Sequence, residues 1–101
     1  MKTQVVNKYH LEGIPWRHRQ EFQYIGRGSM FGNPFKLAPG AARGSTLAKF
    51  HKYFHERLAE DKHFRKAVHA LYGKILVCFC KPQPCHGDII AKYLEEYYGT
   101  E

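Results

Sequence analysis

Apolar positions change their period along this 101-residue chain. Gln4-Val5-Val6-Asn7-Lys8-Tyr9 is short and rich in β-branched residues, the composition of a first strand. Glu21-Phe22-Gln23-Tyr24-Ile25 alternates loosely and predicts a second strand that ends at Gly26. From Leu47 the spacing changes. Leu47, Phe50, Tyr53, Phe54 and Leu58 recur as one face of a helix that Ser45 or Thr46 can cap. Asp61 is a fresh cap, and Phe64, Ala67, Val68 and Leu71 form a second apolar stripe that Gly73 ends. Lys74 to Cys80 is apolar on both alternating faces, as a central strand covered on both sides would be. Pro82 and Pro84 then forbid regular structure. From Asp88, the residues Ile89, Ile90, Tyr93, Leu94 and Tyr97 predict a last amphipathic helix.

The order β-β-α-α-β-α predicts an α/β fold: a small single-domain sandwich over residues 1–101, with a short, mostly parallel sheet flanked by helices. A chain of this length supports one core. Two loops complete the picture. Gly13 to Arg19 carries Pro15, Trp16 and several bases, and Gly26 to Gly44 carries glycines at 26, 28, 32, 40 and 44. A loop that long in so small a domain suggests function or disorder, and Phe31 and Phe35 suggest that it is anchored.

Composition narrows the function classes. A hydrophobic fraction of 44% with 15% aromatics excludes wholesale disorder. No stretch has the length of a membrane span, and the N-terminus lacks the apolar core of a secretory signal, so a cytoplasmic setting with reduced thiols is expected. The net charge of +7 favours anionic partners, namely nucleic acid, nucleotides or phosphorylated metabolites, and a solvating lysine surface is the plainer alternative.

The chemistry concentrates in Cys78-Phe79-Cys80-Lys81-Pro82-Gln83-Pro84-Cys85-His86-Gly87-Asp88, which holds all three cysteines. An odd, clustered set argues against a disulfide framework. Cys78, Cys80, Cys85 and His86 would complete a tetrahedral zinc set. Cys-x-Cys on a flat strand spreads its sulfurs, so such a site needs a local bend, and Cys78 can equally be a buried core residue. The same residues allow a second reading. A thiol at a helix N-terminus beside an imidazole has a lowered pKa, which makes Cys85 a nucleophile with His86 or Asp88 as acid/base. Asp88 also fits a plain N-cap. Pro84-Cys85 lacks the partner spacing of the zinc deaminases of bases, and no His-x-Glu occurs.

A second constellation is Tyr24-Ile25-Gly26-Arg27-Gly28-Ser29-Met30-Phe31-Gly32-Asn33-Pro34-Phe35. Glycines let the backbone approach a ligand, and exposed amides with Arg27 and Ser29 suit a phosphate. It is neither a Walker A loop nor the dinucleotide fingerprint, and a tight structural loop is the simpler account. Gly26, Arg27, Gly28, Ser29 and Asn33 are the candidate ligand-binding residues. Arg43 joins them, because a cation near a helix start makes sense if an anion lies between. His51 and His55 stand four apart and could share a metal or simply be solvated. Trp16-Arg17-His18-Arg19 mixes an aromatic with bases, as single-strand nucleic-acid binders do, but one tryptophan is a thin basis and half-buried packing is the better account.

Taken together, the Tyr24–Ser29, Gly32–Phe35, Leu76–Cys80 and Pro84–Asp88 segments resemble an uncharacterised family of short phage and bacterial proteins, the domain of unknown function 4326. The resemblance covers the chain from the first strand to the last helix. It implies a phage or bacterial cytoplasmic protein and supplies no activity. It also implies that the glycine loop and the Cys-His-Gly-Asp loop belong to one pattern, facing each other across a cleft at the carboxyl ends of neighbouring strands. Three functions follow as expectations. The first is a binder of a nucleotide or nucleic acid at that cleft. The second is an enzyme acting on a nucleotide or modified base through Cys85, His86 and Asp88, with or without zinc. The third is a structural or interaction protein whose cysteines staple the fold.

Overall fold

A computed structural model describes residues 3–35, 46–79 and 85–99. Arg43, Cys80 and the rest of the long loop past Phe35 lie outside the described residues. Three strands, β1 (Gln4–Asn7), β2 (Phe22–Tyr24) and β3 (Ile75–Cys78), form a parallel sheet in the order β1-β3-β2. Three helices accompany them: α1 (Leu47–Glu60), α2 (Lys62–His69) and α3 (His86–Tyr98). The α/β architecture and the element order agree with the pattern of apolar positions. β3 takes the central place that its two apolar faces predict, since both neighbours pair with it.

Alternation along β3 sorts the sheet into two faces. Leu76 and Cys78, with Ile25 beyond β2 and Val5 on β1, join the main core. That core takes Phe50, Phe54 and Leu58 from α1, Phe64 and Val68 from α2, and Ile90 and Leu94 from α3. Phe54 is its hub, with ring centroids 5.9 Å from Phe64 and 5.6 Å from Tyr93. The opposite row is Val6, Val77 and Tyr24, in register across the three strands.

Three boundaries differ from the expected ones, each for a local reason. β1 stops at Asn7, whose Oδ1 accepts a hydrogen bond from the Tyr9 amide (2.9 Å) and turns Lys8–Leu11 into a short 3-10 helix. Trp16–His18 forms a second such turn. α3 starts at His86, two residues before Asp88, because Cys85 serves as its N-cap. Asp61 separates α1 from α2 as predicted, its Oδ1 accepting from the Phe64 amide at 3.0 Å. Thr46 occupies the N-cap of α1 but makes no capping bond. Its hydroxyl accepts instead from the Asn33 side chain at 3.0 Å.

Candidate functional site

β3 delivers two consecutive side chains to opposite faces of the sheet at its carboxyl end. Cys78 is fully buried and Phe79 is 41% exposed. The site therefore has a buried half and an open half.

In the buried half, Cys85 Sγ lies 3.0 Å from Cys78 Sγ and 3.6 Å from His86 Nδ1, and neither cysteine is in a disulfide. The His86 ring stands edge-on to Phe50 and its Nε2 is 2.6 Å from the Ile25 carbonyl. A carbonyl only accepts, so Nε2 carries the proton and Nδ1 presents its lone pair to Cys85. Burial pushes the His86 pKa down, and the Ile25 carbonyl and Asp88 carboxylate oppose that shift without overcoming it. The imidazole is therefore neutral at pH 7. The helix start is closed by its own residues. The Cys85 amide donates to Asp88 Oδ2 (3.1 Å), and the Gly87 amide donates to Cys85 Sγ (3.4 Å), a capping box built on a thiol. Gly87 is where α3 touches the sheet. A Cβ there would stand 2.7 Å from Ile25 Cδ1 and 2.9 Å from Val5 Cγ1.

The glycine loop begins one residue past Ile25, so the His86–Ile25 bond joins the two motifs that the sequence sets 61 positions apart. The loop's polar groups mostly serve the loop. Ser29 donates to the Gly26 carbonyl from its amide (3.1 Å) and its hydroxyl (2.7 Å). Asn33 Oδ1 accepts from the Phe35 amide. Gly28 has φ +89°, which requires glycine, and a Cβ at Gly32 would meet the Gly26 carbonyl oxygen at 2.7 Å. Phe31 anchors the segment in the core. Arg27 remains exposed, and no acid occurs between Phe22 and Phe35.

Of the expected ligand residues, the structure thus brings Gly26, Arg27, Gly28, Ser29 and Asn33 onto one loop that follows Ile25, the residue bonded to His86. Arg43 lies outside the described residues. Among the described residues no three donors are arranged to hold a metal ion. Cys78, Cys85 and His86 meet, while Cys80 falls outside them. The His51 and His55 rings, 4.5 Å apart, sit on an exposed face of α1.

The open half is what the sequence reading missed. Four aromatic rings form a row across the carboxyl end of the sheet. Tyr9 is 6.0 Å from Phe79, Phe79 is 6.0 Å from Tyr24, and Tyr24 is 6.4 Å from Trp16, centroid to centroid. A cation stands at each end: Lys8 Nζ is 4.8 Å from the Phe79 ring centre and 5.7 Å from that of Tyr9, and the Arg17 guanidinium is 4.4 Å from Trp16. Tyr9 is 68% exposed, Trp16 and Tyr24 are half-buried, and the Tyr24 ring folds over Gly26. The signal was present in the alternation of β3, which sends Phe79 to the face opposite Cys78. What was missing was the 3-10 turn that swings Tyr9 beside it.

This is a small α/β domain with a parallel sheet whose carboxyl end carries a thiol-imidazole corner on one face and a basic aromatic row on the other. The chain belongs to the family described as Domain of unknown function (DUF4326), which it matches over residues 6–96. It is also 33% identical over 98 residues to the "Uncharacterized 12.4 kDa protein in nrdA-td intergenic region" of Enterobacteria phage T4, an alignment covering 96% of this chain and 82% of the phage protein. No solved structure matches the chain significantly. Among the described residues, no helix is long and apolar enough to cross a membrane.

Proposed function

We propose that this protein binds single-stranded nucleic acid across the open face of its sheet, in a bacterial or phage-infected cytoplasm. The observation that carries the reading is the row Tyr9-Phe79-Tyr24-Trp16 between Lys8 and Arg17. Partly exposed rings at regular spacing, Tyr9 and Phe79 the most open, offer bases a stacking surface of any sequence, and flanking cations hold the phosphates. Single strands present unstacked bases, and duplexes do not. The Gly26–Ser29 loop adjoins the row through Tyr24, and Arg27 extends the positive edge there. The Gly26–Ser29 loop thus flanks the middle of the row and brings Arg27 to that side of the surface. The net charge of +7 supplies the long-range attraction.

The test is binding of a short single-stranded oligonucleotide and of its duplex over a salt series. The single strand binds more tightly, weakens steeply as salt rises, and loses most of its affinity with Tyr9→Ala/Phe79→Ala. Equal binding to the duplex, or a double variant that binds as before, defeats the reading.

A second reading is a zinc staple at Cys78, Cys80, Cys85 and His86. It is favoured by the His86 tautomer, since a ligating imidazole commonly donates its other N–H to a carbonyl. Zinc would supply cross-linking of β3 to α3. Metal analysis with thiol titration decides it: metal-free protein with freely titrating thiols removes the staple. An enzyme reading finds less support, because Cys85 is 1% exposed, His86 is buried, and Asp88 is engaged in the cap.

A further inference from the structure

The far end of the helical layer holds a groove that the sheet's aromatic row does not reach. Lys62, His63, Arg65, Lys66, His69 and Tyr97 line a cavity of about 570 Å³. That volume is in the range of small-molecule sites. No carboxylate is among the lining residues. α3 is 13 residues long, so Tyr97 near its end lies roughly 20 Å from the Cys85 cap.

The groove is built at an electrostatic cost. α2 has no acid in its first turn, while Lys62 occupies its positive end, where a cation is disfavoured. Lys62 and Lys66 are four apart on the helix and repel each other. Asp61, the nearest acid in sequence, caps α2 and pairs with Arg57 at 3.5 Å. Arg65, His69 and Tyr97 are held in place by neighbouring groups. Arg65 donates to the Leu58 carbonyl at the end of α1 (2.8 Å). His69 is held between two phenols, with Nε2 2.6 Å from Tyr93 Oη and Nδ1 2.5 Å from Tyr98 Oη. The Tyr97 ring stands edge-on to His69 at 4.4 Å and is 60% exposed. Burial and the nearby Arg65 both lower the His69 pKa, as expected in a positive environment.

We propose that this groove is a nucleotide site, distinct from the aromatic row, in which Lys62, Arg65 and Lys66 hold the phosphates and Tyr97 stacks on the base. An oligophosphate matches the three cations, of which Arg65 is held by the Leu58 carbonyl, and the exposed ring beside them gives a planar base a partner. The inference uses none of the residues of the nucleic-acid surface and stands without it.

Titration of the full chain with ATP, with inorganic triphosphate and with adenosine, followed by calorimetry, tests the site. ATP and triphosphate bind and adenosine does not. Lys62→Ala/Lys66→Ala weakens both phosphate ligands at least tenfold. Tyr97→Ala weakens ATP and leaves triphosphate unchanged. Tyr9→Ala/Phe79→Ala leaves all three titrations as in the parent. All five positions are exposed, and an unchanged unfolding midpoint verifies that each variant is folded. No ATP binding, or ATP binding indifferent to the lysine pair, overturns the proposal. So does a Tyr97→Ala loss shared equally by triphosphate. Loss of ATP binding in Tyr9→Ala/Phe79→Ala would place the ligand on the sheet instead and also overturn it.

Discussion

Cys78 and Phe79 are neighbours in sequence and opposites in circumstance. Cys78 faces the helices, wholly buried against Cys85. Phe79 faces outward into a row of rings bracketed by Lys8 and Arg17. One strand's alternation separates a corner that spends its polar groups on itself from a surface of partly exposed rings. In the corner, the Cys85 amide, the Asp88 carboxylate and the His86 N–H all have partners within the fold. Chemistry-bearing residue types in the corner are thus engaged with one another and with the backbone. Exposure discriminates better than residue type, and Tyr9 and Phe79 are among the exposed large hydrophobics.

The contrast predicts that the two faces fail differently. Tyr9→Ala/Phe79→Ala costs about 1–3 kcal/mol of single-strand binding for each ring lost, with little change in stability. A fluorescence anisotropy titration beside a thermal unfolding curve reads both. His86→Ala does the reverse. It strips the Ile25 carbonyl of its donor and costs about 1–3 kcal/mol of stability, while binding measured well below the unfolding midpoint persists. Gly87→Ala acts next to that bond by forcing a Cβ onto the side chains of Ile25 and Val5. It destabilises by about 1–3 kcal/mol in a urea titration.

Acid sharpens the difference further. The folded pKa of His86 lies below its ordinary value of 6.5, so the folded state resists a proton that the unfolded chain accepts. The stability contributed by the neutral imidazole is fully present above pH 6.5 and declines as pH falls below it. Chelator-treated parent protein shows that decline in its unfolding midpoint, and His86→Ala shows less of it. The smallest effect belongs to Lys8→Ala. It lowers the salt slope of oligonucleotide binding by about 0.7, the contribution of one phosphate contact on a single strand.

Much of the fold was legible because its signals are local. Leu47, Phe50, Phe54 and Leu58 repeat at helical spacing, Asp61 interrupts, and Lys74 to Cys80 is apolar on both faces. Each of those patterns needs only its own segment to be read. The pairing of the two motifs was visible as a resemblance, and its cause is the His86–Ile25 bond, which no sequence pattern encodes. The roles of Ser29, Asn33 and Asp88 as internal hydrogen-bond partners follow from loop closure, where several conformations fit the same residues. The aromatic row escaped notice because Tyr9, Trp16, Tyr24 and Phe79 come from four separate segments. Only the parallel pairing of β1 and β2 with β3 gathers them.

The central claim is that a strand lies along that row, and the chain carries its own reporter. Trp16 is the single tryptophan and ends the row against Tyr24. Titrating an oligothymidylate into the protein while following Trp16 emission should give saturable quenching that high salt reverses and that Tyr9→Ala/Phe79→Ala largely abolishes. Oligonucleotide binding that leaves Trp16 emission unchanged, or quenching untouched by the double variant, would contradict it.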